Sequence, residues 1–258
     1  MKKLEIIYGI HPLIEAIIAK KTIFKLFFKI GWKKKSNHYK KLINLSKREN
    51  IEIDTVKNSK FYHLLKNKNH QGVFAYIHPI TTYYIKDLLP ILYEKGKNPL
   101  FIILDRITDV RNFGSIIRTS AYAGVDAIII PKKYTAMIGS DSVKTSSGAL
   151  FKVPICKEKS IKTVIEYLIK SGLKIVSATE KSNIYLYDIN FSGPTAIILG
   201  NESNGISPKY LKMTFEKANI PSSINNGKGI DSLNVSVACG VFLYEVLRQR
   251  KFITTNHF

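Results

Sequence analysis

The sequence predicts an α/β protein whose main part is a parallel sheet with helices on both faces. From Leu100 onward, short apolar runs alternate with stretches of helical periodicity, which is the order expected for a parallel sheet. These runs lack the alternation of half-exposed strands, so the strands should be buried on both faces. Strands are predicted at residues 100–104, 127–130, 173–178, 195–199 and 217–220, and helices at 113–124, 140–150, 161–171, 207–213 and 234–250.

Residues 1–78 are predicted to form a separate, smaller α/β unit. Its first helix follows His11 and has Leu13, Ile14, Ile17 and Ile18 as its apolar face. A second, strongly basic helix is predicted to open at residues 32–35, and strands are predicted at 23–30, 51–54 and 72–77.

The composition shifts at residues 79–98 to prolines, paired tyrosines and a short helical pattern. We predict a linker there, which leaves 99–258 as the domain of the parallel sheet.

The bulk composition is that of an ordinary globular protein of 258 residues, 45% hydrophobic and 23% charged. Apolar runs stay below the roughly 18 residues of a membrane span, and the first residues lack the apolar core of a signal peptide. Cys156 and Cys239 form neither a metal spacing nor a disulfide framework, and His11, His63 and His70 have no ligand partner at metal spacing. The sequence therefore predicts a cytoplasmic protein without a metal or a membrane contact.

The formal net charge of +21 indicates a polyanionic partner such as a nucleic acid. Residues 1–99 hold 20 Lys and Arg against 7 Asp and Glu, and residues 100–258 hold 20 against 12. Part of the charge is open to a second interpretation, because an AT-rich coding sequence also enriches Lys, Ile, Asn and Tyr. The run Lys33–Lys35 is either a contact to an RNA backbone or a solvated helix face.

Polar loops follow four of the predicted strands. They begin at Asp105, Thr179, Gly200 and Pro221. Because ligands of open parallel sheets bind outside the carboxyl ends of the strands, we expect these loops to share one edge and to form a site there.

The first and third loops contain the most informative side chains. Asn112 is a plausible helix N-cap. Arg118 stands among apolar helix residues, where a cation should not face a core, so it is expected at a subunit interface or on an anion such as phosphate. Glu202 lies between Gly200 and Gly205, as in a tight turn whose backbone passes close to a ligand. Its carboxylate is expected to hold a ribose hydroxyl or to order Arg118.

The last predicted helix opens with small residues, which allow another element to approach it closely. They are Ser236, Ala238, Cys239 and Gly240. The opening is interpreted either as a capped helix that packs on the sheet or as part of a ligand pocket.

Three motifs resemble those of the SpoU (TrmH-type) RNA 2′-O-methyltransferases. They are Asn112-x-Gly114-x-x-x-Arg118, then Gly200-x-Glu202-x-x-Gly205, then Ile220-Pro221 with Ser232-Leu233-Asn234-Val235-Ser236-Val237-Ala238. Two further stretches, Tyr8-Gly9-Ile10-His11 and His70-Gln71-Gly72-Val73, resemble the small RNA-binding domain of its longer members. Within the family, the chain is most similar to the branch that methylates guanosine in 23S ribosomal RNA.

The resemblance implies a knotted α/β domain (SPOUT, deep trefoil knot), a feature that general folding rules exclude, behind a ribosomal-protein L30e-like domain. It implies S-adenosylmethionine as cofactor, a homodimer formed through the last helix, and RNA rather than DNA as partner. The cofactor residues carried over by position are Thr179, Gly200, Ile220 and Leu233. The catalytic set is Asn112, Arg118, Glu202, Ser232 and Asn234.

The chain departs from the family pattern in places that are not catalytic. Val110 replaces the usual proline and removes a rigid φ, Ser203 replaces a frequent glycine, and residues 222–230 form a long segment rich in Asn and Gly.

Three other functions remain open at this point. The first is transfer-RNA methylation, which the basic front part disfavours because the short transfer-RNA enzymes of the family lack it. The second is a catalytically silent RNA-binding or ribosome-assembly factor, disfavoured by the retained Arg118, Glu202 and Asn234. The third is an oxidoreductase, disfavoured because no Gly-x-Gly-x-x-Gly turn follows the first strand of the sheet.

Overall fold

The computed structural model describes residues 4–31, 36–223 and 232–252. The predicted helix opening at 32–35, with the run Lys33–Lys35, lies outside the described residues, as does most of the segment 222–230. The chain forms two compact units. The first combines Met1–Thr81 with Met137–Lys152, and the second combines Thr82–Ala136 with Val153–Phe258. The predicted domain boundaries stay a prediction.

Strands and helices alternate along most of the described residues. The strands are β1 (Glu5–Tyr8), β2 (Ile23–Lys29), β3 (Ile53–Val56), β4 (Val73–Ile77), β5 (Leu100–Asp105), β6 (Ala127–Pro131), β7 (Ile155–Glu158), β8 (Lys174–Ala178), β9 (Thr195–Gly200) and β10 (Glu216–Ala218). The helices are α1 (Ile10–Ile18), α2 (Asn37–Arg48), α3 (Asn58–Leu65), α4 (Ile85–Glu94), α5 (Val110–Tyr122), α6 (Ser140–Thr145), α7 (Ile161–Lys170), α8 (Pro208–Leu211) and α9 (Val235–Leu247).

The first unit is built on a mixed sheet in the order β1-β4-β2-β3, in which only β2 and β3 run parallel. In α1, Leu13, Ile14 and Ile17 are buried as predicted, but Ile18 is 48% exposed. Ile18 is the last residue of the helix, so its inclusion in the apolar face was wrong.

The second unit contains a six-stranded sheet in the order β10-β8-β9-β5-β6-β7. All its strand pairs are parallel, and every residue of β5 is buried. The predicted α/β fold with a parallel sheet is therefore confirmed. The edge strand β7 was missed, because Lys157 and Glu158 make half of it polar.

Helix α4 occupies much of the stretch predicted as a linker. Its Ile85, Leu89 and Leu92 are buried and belong to the apolar core of the second unit. This stretch therefore contributes to the packing of that unit.

The parallel direction of the strands brings four predicted loops to one edge of the sheet. β5, β8, β9 and β10 end at Asp105, Ala178, Gly200 and Ala218, and the register pairs Asp105 with Gly200 and Ala178 with Ala218. The predicted shared edge is confirmed. Among the described residues, no helix is both long and apolar enough to cross a membrane, and no three His, Cys, Asp or Glu side chains are grouped to hold a metal ion.

Candidate active site at the carboxyl edge of the parallel sheet

The first turn of α5 places Asn112 at the edge of the sheet. Asp109 is the N-cap of this helix, and its Oδ1 accepts from the amides of Arg111 and Asn112 at 2.8 Å each. The prediction that Asn112 caps the helix was wrong, since the N-cap is Asp109, three residues before Asn112. The side chain of Asn112 is thereby left for a different contact.

Glu202 is the centre of a small hydrogen-bonded cluster. Its Oε1 accepts from Nδ2 of Asn112 at 2.9 Å and from Nδ2 of Asn234 at 2.6 Å. Nδ2 of Asn234 also lies 3.0 Å from Oδ1 of Asn112. The fold thus brings together three predicted site residues that are far apart in the chain. We call them the Asn112–Glu202–Asn234 cluster.

Asn234 also begins helix α9. Its Oδ1 accepts from the amides of Ser236 at 2.9 Å and Val237 at 3.4 Å, and from Oγ of Ser236 at 2.6 Å. One end of this side chain therefore caps a helix while the other end holds Glu202. The two interpretations of this opening, a capped helix and part of a site, are compatible.

The turn after β9 is closed by backbone against backbone. A Cβ on Gly200 would lie 2.2 Å from the carbonyl carbon of Gly205 and 2.3 Å from the amide nitrogen of Ile206. Gly205 has φ +60° and donates its amide to the carbonyl of Asn201 at 2.7 Å. The space in which a side chain of residue 200 would stand is therefore filled by the chain's own loop, so this turn requires a glycine at residue 200.

The residues predicted to bind the cofactor follow three neighbouring strands. Thr179 comes after β8, is 9% exposed, and donates its amide to the carbonyl of Ala218 at 2.9 Å. Gly200 ends β9, and the half-buried Ile220 follows β10. Leu233 is exposed and directly precedes Asn234.

Arg118 and Ser232 are both exposed. Ile116 and Ile117 beside Arg118 are fully buried, so the expectation that this cation avoids the core is confirmed. Arg118 lies six residues beyond Asn112, about 9 Å further along the helix. The hydrogen bonds of Glu202 go to Asn112 and Asn234, which was not foreseen.

Helices α5 and α9 pack closely through small side chains. A Cβ on Gly240 would lie 3.8 Å from Cγ2 of Thr119. The buried thiol of Cys239 lies beside the hydroxyl of Ser120, and burial raises the pKa of this thiol to about 12 against a smaller opposite effect of the hydroxyl. The close approach predicted from the small residues of α9 is confirmed, and the approaching element is α5.

The profile of the SpoU rRNA Methylase family matches residues 99–244, which contain every member of the candidate site. The chain belongs to this family. A second profile, RNA 2′-O ribose methyltransferase substrate binding, matches residues 6–83. The SpoU matches confirm the predicted family and the predicted class of enzyme, an RNA ribose 2′-O-methyltransferase.

Individual relatives extend the SpoU match over nearly the whole chain. The 23S rRNA (guanosine-2′-O-)-methyltransferase RlmB of Blochmanniella floridana is 32% identical over 96% of each chain. An uncharacterized tRNA/rRNA methyltransferase of Synechocystis is 29% identical over 96% of this chain, which spans 64% of that protein's length.

A crystal structure supports the fold of this SpoU chain. The SpoU methyltransferase AviRb of Streptomyces viridochromogenes, in complex with AdoMet, superposes with a TM-score of 0.75 at 22% identity. The superposition covers 95% of this chain and 89% of the other. The knot and the kinship of the first unit to L30e stay predictions.

Proposed function

We propose that this chain transfers a methyl group from S-adenosylmethionine to the ribose 2′-oxygen of a guanosine in 23S ribosomal RNA. The observation that carries the proposal is the Asn112–Glu202–Asn234 cluster, in which the three sequence motifs meet at the carboxyl edge of the parallel sheet. The relative of Blochmanniella floridana, which carries that activity in its name, supports the choice of substrate.

The residues at the ends of β8, β9 and β10 fit S-adenosylmethionine. Gly200 is half-buried at the end of β9 and offers its backbone polar groups to the cofactor, and the partly exposed Ile220 and Leu233 offer apolar surface to an adenine ring. The nearly buried Thr179 adds a hydroxyl at the same edge. When bound, this cofactor supplies an electrophilic methyl group on a sulfonium.

The chain's own residues have to orient the ribose and the phosphate next to it. Both hydrogen bonds that Glu202 accepts from the described residues go to its Oε1, and we assign Oε2 as the acceptor for a ribose hydroxyl. Asn112 and Asn234 hold the carboxylate, and the exposed Ser232 contacts the ribose or its phosphate. Such ordering lowers the barrier by removing rotational and translational freedom.

Arg118 acts as a clamp for the phosphate next to the target ribose. A guanidinium keeps its proton in proteins and presents a fork of donors that matches phosphate oxygens. A phosphate oxygen or water then takes the hydroxyl proton. The exposure of Arg118 on α5 is consistent with this role.

A second copy of the chain is proposed to cover α9. The exposed face of this helix is apolar, with Val237 and Tyr244 both more than half exposed, and Tyr122 on α5 is 83% exposed. A helix that is apolar on all sides is normally buried. Tyr244→Lys is therefore expected to convert the dimer to a monomer in sedimentation equilibrium, whereas Tyr62→Lys on α3, also exposed, should leave the dimer intact.

The first unit is proposed to bind RNA, with an L30e-like fold, and the cytoplasm is proposed as the compartment. The excess of basic residues in the front part of the chain supports the contact with RNA. The proposed domains keep their predicted boundaries, 1–78, 79–98 and 99–258. The knotted fold of the second domain is likewise a proposal, which rests on the family resemblance.

Methyl incorporation tests the proposal. Purified chain, radiolabelled S-adenosylmethionine and unmodified 23S rRNA should yield 2′-O-methylguanosine after nuclease digestion. A target nucleotide with deoxyribose should bind but accept no methyl group. Incorporation of methyl groups into transfer RNA but not into 23S rRNA would show that the substrate is transfer RNA. Cofactor and RNA binding without incorporation would indicate a silent RNA-binding factor.

A further inference from the structure

The loop that carries Glu202 is held from the neighbouring strand by a buried carboxylate. Asp105 ends β5 and pairs in register with Gly200 at the end of β9. Its side chain is almost fully buried, and its Oδ2 accepts from the amide of Ser207 at 2.6 Å. Glu202 lies between Gly200 and Ser207 in sequence, so this contact ties down the far end of its loop.

Arg106 connects the same carboxylate to the middle of the loop. Its Nε and Nη2 lie 3.2 Å from Oδ1 and Oδ2 of Asp105, and Nη2 donates to the carbonyl of Gly205 at 3.2 Å. The backbone of Arg106 has φ +59°, a conformation that a residue with a Cβ rarely adopts. Such a conformation persists where surrounding contacts enforce it.

Asn201 completes the connection next to Glu202 itself. Its Nδ2 donates to the carbonyl of Arg106 at 3.1 Å, and its Oδ1 accepts from the amide of Ser203 at 2.8 Å. The side chain of Asn201 therefore links the residues on either side of Glu202, namely Asn201 itself and Ser203. The same side chain is hydrogen-bonded to Arg106, which directly follows β5. The sequence analysis placed Asp105 at the start of a site loop but assigned no role to Asp105, Arg106 or Asn201, because their roles depend on pairing between β5 and β9.

We propose that Asp105, Arg106 and Asn201 are positioning residues, which hold Glu202 where it receives the amides of Asn112 and Asn234. The consequence for the rate rests on the proposed function. A group that orients a reacting centre acts mainly on kcat, since misplacement by 1 Å costs about a hundredfold. A lost electrostatic contact to the RNA backbone appears instead in KM.

Arg106→Gly tests the proposal kinetically. Glycine accepts φ +59° without strain, so the variant loses the guanidinium but not the backbone conformation. We expect kcat to fall about ten- to a hundredfold with KM for RNA nearly unchanged. Asn50→Gly, at an exposed residue with φ +51°, controls for the backbone, and Lys95→Gln controls for the lost charge. An unchanged kcat in Arg106→Gly would overturn the proposal.

The side-chain amides of Asn112 and Asn234 provide a second measurement, which needs no catalysis. In protein labelled with ¹⁵N-asparagine, the substitutions Arg106→Gly and Asn201→Asp should change the chemical shifts of the side-chain amides of Asn112 and Asn234. The new shifts should approach those of asparagine side chains that are exposed to solvent. Asn201→Asp keeps the acceptor for Ser203 and loses the donor to Arg106. Resonances that stay in place would overturn the positioning role. Absence of methyl transfer by the wild type would count only against the proposed function.

Discussion

Single side chains at this site serve the fold and the chemistry together. The oxygen of the Asn234 amide caps α9, while its nitrogen holds Glu202 and Asn112. Removing an N-cap costs about 1 kcal/mol, so a loss of activity in Asn234→Ala combines two effects. Arg118 allows a cleaner test, because it has one proposed role, and the two roles of Gly200 can be measured separately.

Arg118→Ala should lower kcat by at least about a hundredfold, the scale for a lost charge-assisted contact in the transition state. Arg118→Lys should recover only part of this activity, since an ammonium lacks the guanidinium fork. Steady-state methyl transfer to 23S rRNA measures both variants, with Arg111→Ala on the same exposed side of α5 as the charge-matched control. Near wild-type turnover in Arg118→Ala would contradict the phosphate clamp at this position.

Gly200→Ala should displace the turn after β9, because its Cβ would overlap the backbone of Gly205. We expect the free energy of unfolding to fall by about 1–3 kcal/mol, as for other overpacked sites, and cofactor affinity to fall with it. Urea unfolding and calorimetry with S-adenosylmethionine measure the two quantities. Gly193→Ala is the control, since nothing lies within 4 Å of a Cβ at residue 193, and an equal effect there would refute the steric explanation.

At the scale of elements, the first turn of α5 connects helix stability to the site. Asp109 caps the helix from which Asn112 reaches Glu202, so the cap also fixes the position of a predicted site residue. Helix α7 has a comparable cap, in which Oγ of Ser160 accepts from the amide of Thr163 at 3.2 Å. The two helices therefore offer a matched comparison.

Asp109→Ala and Ser160→Ala should each lower the free energy of unfolding by about 1 kcal/mol, the usual cost of a lost N-cap. Only Asp109→Ala should also lower kcat, because only α5 carries a site residue in its first turn. Thermal unfolding and methyl transfer measure the pair. Equal kinetic effects of the two variants would show that α5 has no special connection to the site.

The same elements show what the sequence can predict. The apolar runs of β5, β6, β8 and β9 were recognised because strands buried on both faces have little polar content. Helix α3 was missed because its short sequence, Asn58–Leu65, has no strong apolar period. Asp109 and Asn112 are both good capping residues three positions apart, and spacing alone could not choose between them.

The residues of the candidate site were predicted from the resemblance to the family. The hydrogen bonds between them could be identified only from the folded structure. The sequence assigned Glu202 a ribose hydroxyl or Arg118 as its partner, and its hydrogen bonds to Asn112 and Asn234 were not anticipated. These partners are 90 and 32 residues away along the chain, and their meeting depends on strand order and register. Neither quantity can be read from a single sequence.

At the scale of the whole molecule, the first unit is discontinuous. Its residues 137–152 interrupt the sequence of the second unit, and Asp141, Lys144 and Lys152 make polar contacts with the front of the chain. Oδ1 of Asp141 accepts from the hydroxyl of Tyr8 at 2.5 Å, and Oδ2 pairs with Nζ of Lys68 at 2.6 Å. We expect this group of three side chains to make the stability of the first unit depend on pH.

Burial acts to raise the pKa of Asp141, but the hydrogen bonds from Lys68 and Tyr8 outweigh it, and the pKa lies below the ordinary 3.8. A carboxyl with a lowered folded pKa stabilises above its unfolded pKa, and this stabilisation is lost as the pH falls below that value. The protection factors of the amides of residues 137–152, which compare exchange with that of an unstructured chain at the same pH, should therefore fall below pH 3.8 in the wild type. Asp141→Asn should exchange faster already at neutral pH, with a weaker dependence on acid.

Asp54→Asn is the matched control for this measurement. The pKa of Asp54 is also lowered, by the amide of Thr55 and by Lys25, but Asp54 lies in β3 on the far edge of the sheet from β1. Its substitution should leave the exchange of residues 137–152 unchanged. An acid profile of that segment that is the same in all three proteins would rule out Asp141 as its cause.

Gly148 shows that residues 99–244, which match the SpoU rRNA Methylase profile, do not pack independently of the front of the chain. A Cβ there would lie 2.5 Å from Cβ of Glu15 and 3.3 Å from Cα of Pro12, both in α1. Gly148 therefore packs so tightly on α1 that a side chain would not fit, although it lies inside the family match at 99–244. Evolutionary exchange of front segments between relatives would require compensating changes around Gly148. A chimera that joins a foreign front segment to residues 82–258 should recover solubility when residues 137–152 are exchanged with it.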